Sequence, residues 1–411
     1  MEIRKKIPFN EWRAVIICSL LVFISLGFCS SAISIYTVPV TEALGISRGA
    51  YATSSTVRFI TMALTNLCFG ALAHRFGTKK LMLMGFGSLI ISVLICSFAN
   101  GLPLILLGSL FLGAGLSFTS TTMVGTVINR NCKRHTGTFL GIALAMNGVG
   151  AAVARIILTP IINAHKEGFR DAYRIVALIM VALALVILFF YKEATEESNA
   201  AAPEAEEKAL KKEKQRVLHK PYMLVALVCV FFTGLIFQSI TSIADPHFKD
   251  NGIDLALVTT ILSVYSISIS ATKSSIGIIY DRAGLRVASM ICYGSSLVAI
   301  PALLLVSNSS LGIGLGFVYA IFVAIGLPLQ TVMLPIIVKE LFGERLFSRA
   351  LGIFVAANTA GYAAMPIADV IFDLKGSYDL WIMICFAILV AITVAMNIVI
   401  FLSGKDKSAS I

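Results

Sequence analysis

Three basic residues, Arg58, Arg155 and Lys273, stand inside long apolar runs of this 411-residue sequence. A charge left in hydrocarbon costs at least ~2.5 kcal/mol, so each needs a partner or a use. The same runs hold few carboxylates, and Asp245 and Asp369 both fall near run ends. Unneutralised positive charge in an apolar interior suits the binding of an anion, because a carboxylate accepts hydrogen bonds from ammonium or guanidinium groups. Lys273 is the leading candidate: at 1.5 Å per residue it lies about 12 Å inside its run, where snorkelling to the headgroups would be strained. Other readings stand for the remaining two. Arg58 can reach outward or pair with Asp369, and Arg155 can bond helix carbonyls.

Polar residues at helical spacing surround these charges. Gln238, Thr241, Ser242 and Asp245 share one face of their run, as do Ser266, Ser270 and Lys273. Such stripes read either as a wetted cavity wall or as hydroxyls bonded to their own helix backbone. Tyr36, Asn147, Gln330, Asn358 and Tyr362 complete the set of candidate substrate-binding residues.

The elements that must position them are membrane spans. With 58% hydrophobic and 13% charged residues, the chain lies far from the composition of soluble domains. Twelve runs are long enough to cross a hydrocarbon core about 30 Å thick. They cover residues 13–40, 48–73, 81–99, 103–128, 138–164, 172–191, 221–248, 255–280, 287–307, 310–338, 349–372 and 379–402. The eight cysteines show no metal or disulfide spacing, so no metal and no cofactor is expected. The first run is too long for a cleaved secretory signal.

The net charge of +11 follows the loops. Roughly 24 of the 33 Lys and Arg residues fall on the side that carries both termini, and about six on the other. Basic residues in short loops stay cytoplasmic, so both termini are expected there, in a multi-pass protein of the cell membrane (the inner membrane in a bacterium). The charge then needs no nucleic acid or acidic partner. The expected partners are the lipid bilayer and a small anionic solute, with the chain itself monomeric. Between runs six and seven, residues 192–220 are rich in Ala, Glu and Lys and read as a cytoplasmic linker between an N-terminal half, 1–191, and a C-terminal half, 221–411.

The halves repeat one another. Pro39, Gly45, Gly70, Arg75 and Gly77 match Pro246, Gly252, Gly277, Arg282 and Gly284 without a gap. Gly115, Leu140, Gly141 and Asn147 match Gly326, Leu351, Gly352 and Asn358 in the same way. The loops GALAHRFGTKK (70–80) and GIIYDRAGLR (277–286) resemble the signature that major facilitator transporters carry between spans 2 and 3 and between spans 8 and 9. That resemblance implies an all-α membrane protein with twelve transmembrane helices in two pseudo-symmetric six-helix halves. It also implies that Gly70, His74, Arg75, Gly277, Asp281 and Arg282 occupy gating positions, where the family forms a cytoplasmic latch. The first copy departs from the pattern, with His74 in the place of the acid that the second copy has in Asp281.

Span 8, ATKSSIGIIYDRAG, resembles the oxalate/formate exchangers and monocarboxylate transporters, which carry a substrate-binding arginine where this chain has Lys273. Span 11 lacks the second cation that oxalate exchangers use, which argues against oxalate. Span 5 lacks the glycine-proline pattern of drug/proton antiporters. No P-loop, G-x-S-x-G or H-E-x-x-H motif suggests an enzyme. The resulting expectation is a secondary or facilitative transporter of a small organic anion, a monocarboxylate first, working by alternating access. An exporter of amphipathic drug-like compounds is the alternative. No carboxylate stands at mid-depth, which favours exchange or facilitated diffusion over proton symport, although Asp245, His247 and Lys273 are possible proton carriers.

Overall fold

The computed structural model describes residues 9–132, 135–191, 221–363 and 366–408. The linker 192–220 lies outside them, as do the basic residues Arg4, Lys5, Lys6, Lys133 and Arg134. All secondary structure among the described residues is helical. The first span is composite: α1 (Phe9–Val22), a π-helical stretch Phe23–Ser31, a 3-10 turn Ile33–Tyr36 and α2 (Thr37–Leu44). There follow α3 (Arg48–Ser97), α4 (Leu102–Thr119), α5 (Thr121–Asn131), α6 (Thr136–Ile162) and α7 (Gly168–Phe190). Beyond the linker come α8 (Pro221–Asp250), α9 (Leu255–Leu304), α10 (Ser310–Gly326), a 3-10 turn Leu327–Gln330, α11 (Met333–Tyr362), α12 (Pro366–Lys375) and α13 (Asp379–Ser408).

Among the described residues, ten helical segments are long and apolar enough to cross a membrane. Two of them, Ala50–Ser97 and Ala256–Leu304, contain 48 and 49 residues, more than twice what one crossing needs. Each leaves helical geometry at a single glycine, Gly77 (φ 78°, ψ 164°) and Gly284 (φ 81°, ψ 175°), in a region of backbone space that side chains other than glycine rarely enter. Each segment therefore holds two of the predicted spans, which brings the total to twelve. The hairpin at Gly77 is visible in the contacts of α4. Gly113 abuts the Arg58 carbonyl and Ser117 Oγ donates to the Met62 carbonyl (2.9 Å), so α4 and the first arm of α3 rise together. On the second arm the order reverses: Ser92 Oγ donates to the Gly108 carbonyl and Ser88 Oγ to the Phe111 carbonyl, both at 2.7 Å.

The described residues fall into two compact units. One takes the helices up to Tyr191 together with Ile269–Asp281 from the middle of α9, and the other takes the rest. Within each unit the repeat reappears as the same close crossing. A Cβ on Gly27 would lie 2.7 Å from the Gly150 Cα, and a Cβ on Gly150 would strike the Phe23 carbonyl. In the second unit, 207 and 211 residues further on, Gly234 abuts the Asn358 carbonyl and Gly361 abuts the Phe231 carbonyl. Small residues permit such approach in a bilayer, where helix association rests on van der Waals contact and hydrogen bonds.

Gly27→Val should lower the melting temperature of the purified protein in detergent by several degrees, since overpacking of this kind costs about 1–3 kcal/mol. Gly87→Ala, where an added Cβ meets nothing within 4 Å, should leave it unchanged or raised.

Candidate functional site

The first unit gathers several of the predicted site residues along α6. Glycines on that helix seat residues of α9 in antiparallel order: Gly137 against Gly277, Tyr280 and Asp281, Gly141 against Lys273 and Ser274, and Gly148 against the Ser270 hydroxyl. Lys273 is thereby held at 5% exposure, with no carboxylate partner among the described residues. Beside Gly148, Asn147 Oδ1 accepts from Ser31 Oγ (2.8 Å) at the end of the π-helical stretch. Arg155 Nη2 lies 3.5 Å from the Ser31 carbonyl, and the Arg155 side chain is exposed. The structure thus gathers Ser270, Asn147 and Arg155 around Gly148 and Ser31, the last of which sequence reasoning missed, and sets Lys273 further along the same helix at Gly141.

Arg58 and Tyr36 belong to the same unit but to other contacts. Arg58 is 5% exposed, its guanidinium stacks on Phe59 at 4.6 Å, and its Nε and Nη1 are buried without a hydrogen-bond partner. Asp369, which the sequence left open as a partner of Arg58, belongs to the other unit. Asp369 accepts from Tyr378 Oη (3.3 Å). Tyr36 stacks on Tyr173 with ring centroids 4.2 Å apart, and its hydroxyl is buried without a partner. Both tyrosines line a cavity of about 30 Å³ together with Tyr51, Ser54, Cys29 and Cys96. That space suits one or two waters rather than a solute.

In the second unit, Asn358 Nδ2 donates to the Val230 carbonyl (3.1 Å), and its Oδ1 accepts from Tyr362 Oη (2.8 Å). Asn358 therefore clamps α11 to α8 beside Gly234. Gln330 ends the 3-10 turn with Oε1 buried and unpartnered, and Gln238 is half-buried on α8. Of the two readings left open for the hydroxyl stripes, bonding to the residue's own helix is seen at three positions. Thr241 donates to Phe237 (2.7 Å), Ser242 to Ser239 (2.9 Å) and Ser266 to Leu262 (2.9 Å). Asp245 forms an exposed ion pair with Lys249 at 2.7 Å.

Of the positions that the resemblance marks as gating, Asp281 has the most developed geometry. It accepts from the Gly137 amide (3.0 Å), the Thr138 amide (2.7 Å) and Thr138 Oγ1 (2.6 Å). These amides belong to the first turn of α6, whose N-cap His135 sits at φ 56° and makes no side-chain cap. Asp281 thus caps a helix 143 residues distant from it in sequence, where a carboxylate meets both free amides and the positive end of the helix dipole. Gly277 lets the two backbones approach, its own Cβ position being filled by the Gly137 carbonyl. His74, Arg75 and Arg282 are exposed, Arg75 lies over Phe76 at 5.5 Å, and Gly70 is buried.

Against known proteins, the model of the Major Facilitator Superfamily matches residues 16–366 and 226–410. The sialic acid transporter NanX of Escherichia coli K12 is 25% identical over 369 residues, 85% of this chain and 83% of its own length. Among solved structures, the proton:xylose symporter XylE superposes with a TM-score of 0.74 at 12% identity, covering 94% of this chain and 95% of its own. The human organic anion transporter MFSD10 does so with a TM-score of 0.71 at 13% identity, covering 94% and 100%. At such identities these two structures establish the fold alone.

Asp281→Ala should free the first turn of α6 and cost about 1.5–3 kcal/mol for each charge-assisted bond lost, read as a lower melting temperature. Asp281→Asn, which keeps one acceptor oxygen, should lose less.

Proposed function

The chain belongs to the major facilitator superfamily, and we propose that within it this protein is a transporter of a small organic anion carrying a single carboxylate. The observation that carries the reading is Lys273: a cation 5% exposed inside a span, seated by Gly141, with no carboxylate among the described residues to neutralise it. Holding an unpaired charge in that setting is costly, and a substrate carboxylate would supply the counter-charge and the acceptors. Arg58, equally buried and with two unpartnered nitrogens, adds to the positive character of the same unit.

The similarity to a sialic acid transporter over most of the chain fits this sign of charge, because sialic acids are sugars that carry a carboxylate. Transport proceeds by alternating access, with the carboxylate biasing the equilibrium between states. Exchange or facilitated diffusion is the favoured coupling, since Asp245 is engaged with Lys249 at an exposed position. The protein works as a monomer in the cell membrane with both termini cytoplasmic. Like the rest of its superfamily it is not an enzyme.

The deciding experiment is a thermal-shift screen of the purified full chain against small carboxylates, amino acids, neutral sugars and amphipathic drugs, followed by uptake into proteoliposomes. Carboxylates should stabilise the protein and neutral sugars should not. Lys273→Gln should abolish uptake while the protein stays folded and monodisperse, and Lys273→Arg should retain part of it. Stabilisation by amphipathic drugs alone would point to the exporter reading, and unchanged uptake in the Gln variant would remove Lys273 from the site.

A further inference from the structure

Two spans at equivalent places in the repeat are interrupted inside the bundle. In the fourth span, α4 ends at Thr119 and α5 starts at Thr121, with Ser120 in extended geometry between them (φ −105°, ψ −152°). The local sequence Ser117-Phe-Thr-Ser-Thr-Thr122 explains the weakness, because hydroxyls there compete for backbone carbonyls. Ser117 and Thr119 both bond back to α4, at the Gly113 and Gly115 carbonyls. In the tenth span, α10 ends at Gly326, Pro328 enforces the 3-10 turn Leu327–Gln330, and α11 resumes at Met333.

Both breaks leave polar groups stranded. Ser120 is the N-cap of α5 but makes no capping bond, and its hydroxyl is buried without a partner at 1% exposure. The first bond of α5 runs from the Val124 amide to the Ser120 carbonyl (3.0 Å), so the amides of Thr121, Thr122 and Met123 have no backbone partner. Thr331, 211 residues after Ser120, likewise has a buried hydroxyl without a partner, beside the unpartnered Gln330 Oε1. The break in the fourth span is backed by the π-helical stretch of the first, from which Ser25 Oγ donates to the Thr119 carbonyl (3.0 Å). Irregular backbone persists at membrane depth only where protein buries it or where it lines a polar path. Ser120 lies about 17 Å of helical rise from the end of α5, well inside a core about 30 Å thick.

We propose that the break at Ser120 is a contact point for hydroxyl or amide groups of the transported solute. Such groups both donate and accept, as the Ser120 hydroxyl does, and they can accept from the amides of α5; a carboxylate would suit those amides too, but in this reading it is held by Lys273. This rests on the organic-anion reading, in which the carboxylate is held by Lys273. Together the two contacts specify a polyhydroxylated carboxylate, a sugar acid in chemical class, over a bare short-chain acid. The repeat copy at Thr331 has the same chemistry within the second unit.

The test measures stabilisation of the purified full chain by N-acetylneuraminate, a hydroxylated carboxylate, and by propionate, which has no hydroxyl. Ser120→Ala should weaken the N-acetylneuraminate response about tenfold, the usual worth of one such hydrogen bond, and leave the propionate response unchanged. Ser120→Thr, which restores the hydroxyl in the form the second repeat uses, should recover binding and so separates a lost contact from a damaged fold. Lys273→Gln should weaken both ligands. If Ser120→Ala affects both equally or neither, the contact at the break is wrong while the anion reading stands. If neither carboxylate stabilises the wild type, the anion reading itself falls and takes this proposal with it.

Discussion

Helices already inside a bilayer gain little from the hydrophobic effect when they associate, so the spans of this chain are fixed where their backbones come closest. Those places are glycines. Gly27 with Gly150 in one unit, and Gly234 with Gly361 in the other, let two helices touch main chain to main chain. Along α6 the same device shapes the candidate site, because Gly137, Gly141 and Gly148 together admit residues of α9. Lys273 is buried because the helix carrying it lies flush against Gly141, and Ser270 takes the space that a side chain at Gly148 would occupy. Packing and the placement of Lys273 are therefore one arrangement: a larger residue on α6 would displace the cation as well as loosen the crossing.

A second consequence concerns polar groups. With no water available in hydrocarbon, every hydroxyl and amide must find a partner inside the protein. Most of the buried serines and threonines do so within their own helix, as Ser109, Thr126 and Thr233 do. A smaller group bonds across helices. Asn66 joins Ser117 (3.3 Å) and Thr122 (2.8 Å) and so ties α3 to both sides of the break after Thr119. Among the described residues the groups left over belong to Tyr36, Arg58, Ser120, Asn129, Arg170, Gln330 and Thr331, three of them at helix breaks: Ser120, Gln330 and Thr331. In a chain so thorough about satisfying its polar atoms, those exceptions are where a solute or a bound water has something to offer.

The span pattern and the repeat were legible in sequence because both depend on residue type alone: apolar length marks a crossing, and glycine at Gly77 and Gly284 marks the turn between two. The buried state of Lys273 was legible for the same reason, from its depth in an apolar run. What residue type does not encode is the partner of a side chain. Thr241 and Ser242 look alike whether they face a cavity or bond their own helix, and only the backbone geometry separates the two. Arg155 shares its run with Asn147, yet it emerges exposed two turns further on. The π-helical stretch Phe23–Ser31 was invisible too, since a change from i→i+4 to i→i+5 bonding leaves no mark on composition.

The two copies of the signature loop are unequal, and the starts of the fifth and eleventh spans differ as well. The fifth span begins at a residue that cannot cap it: His135 is in the left-handed region and its side chain makes no bond to the first turn. The acid in the second loop copy, Asp281, supplies that cap from a distance. The eleventh span, its repeat equivalent, begins differently. Its chain leaves helical geometry at Gly343 (φ 68°) and carries Glu344 immediately afterwards, so an acid of its own stands at the positive end of the helix dipole. The two helix starts meet one electrostatic requirement, from a distant loop in the fifth span and from an adjacent residue in the eleventh.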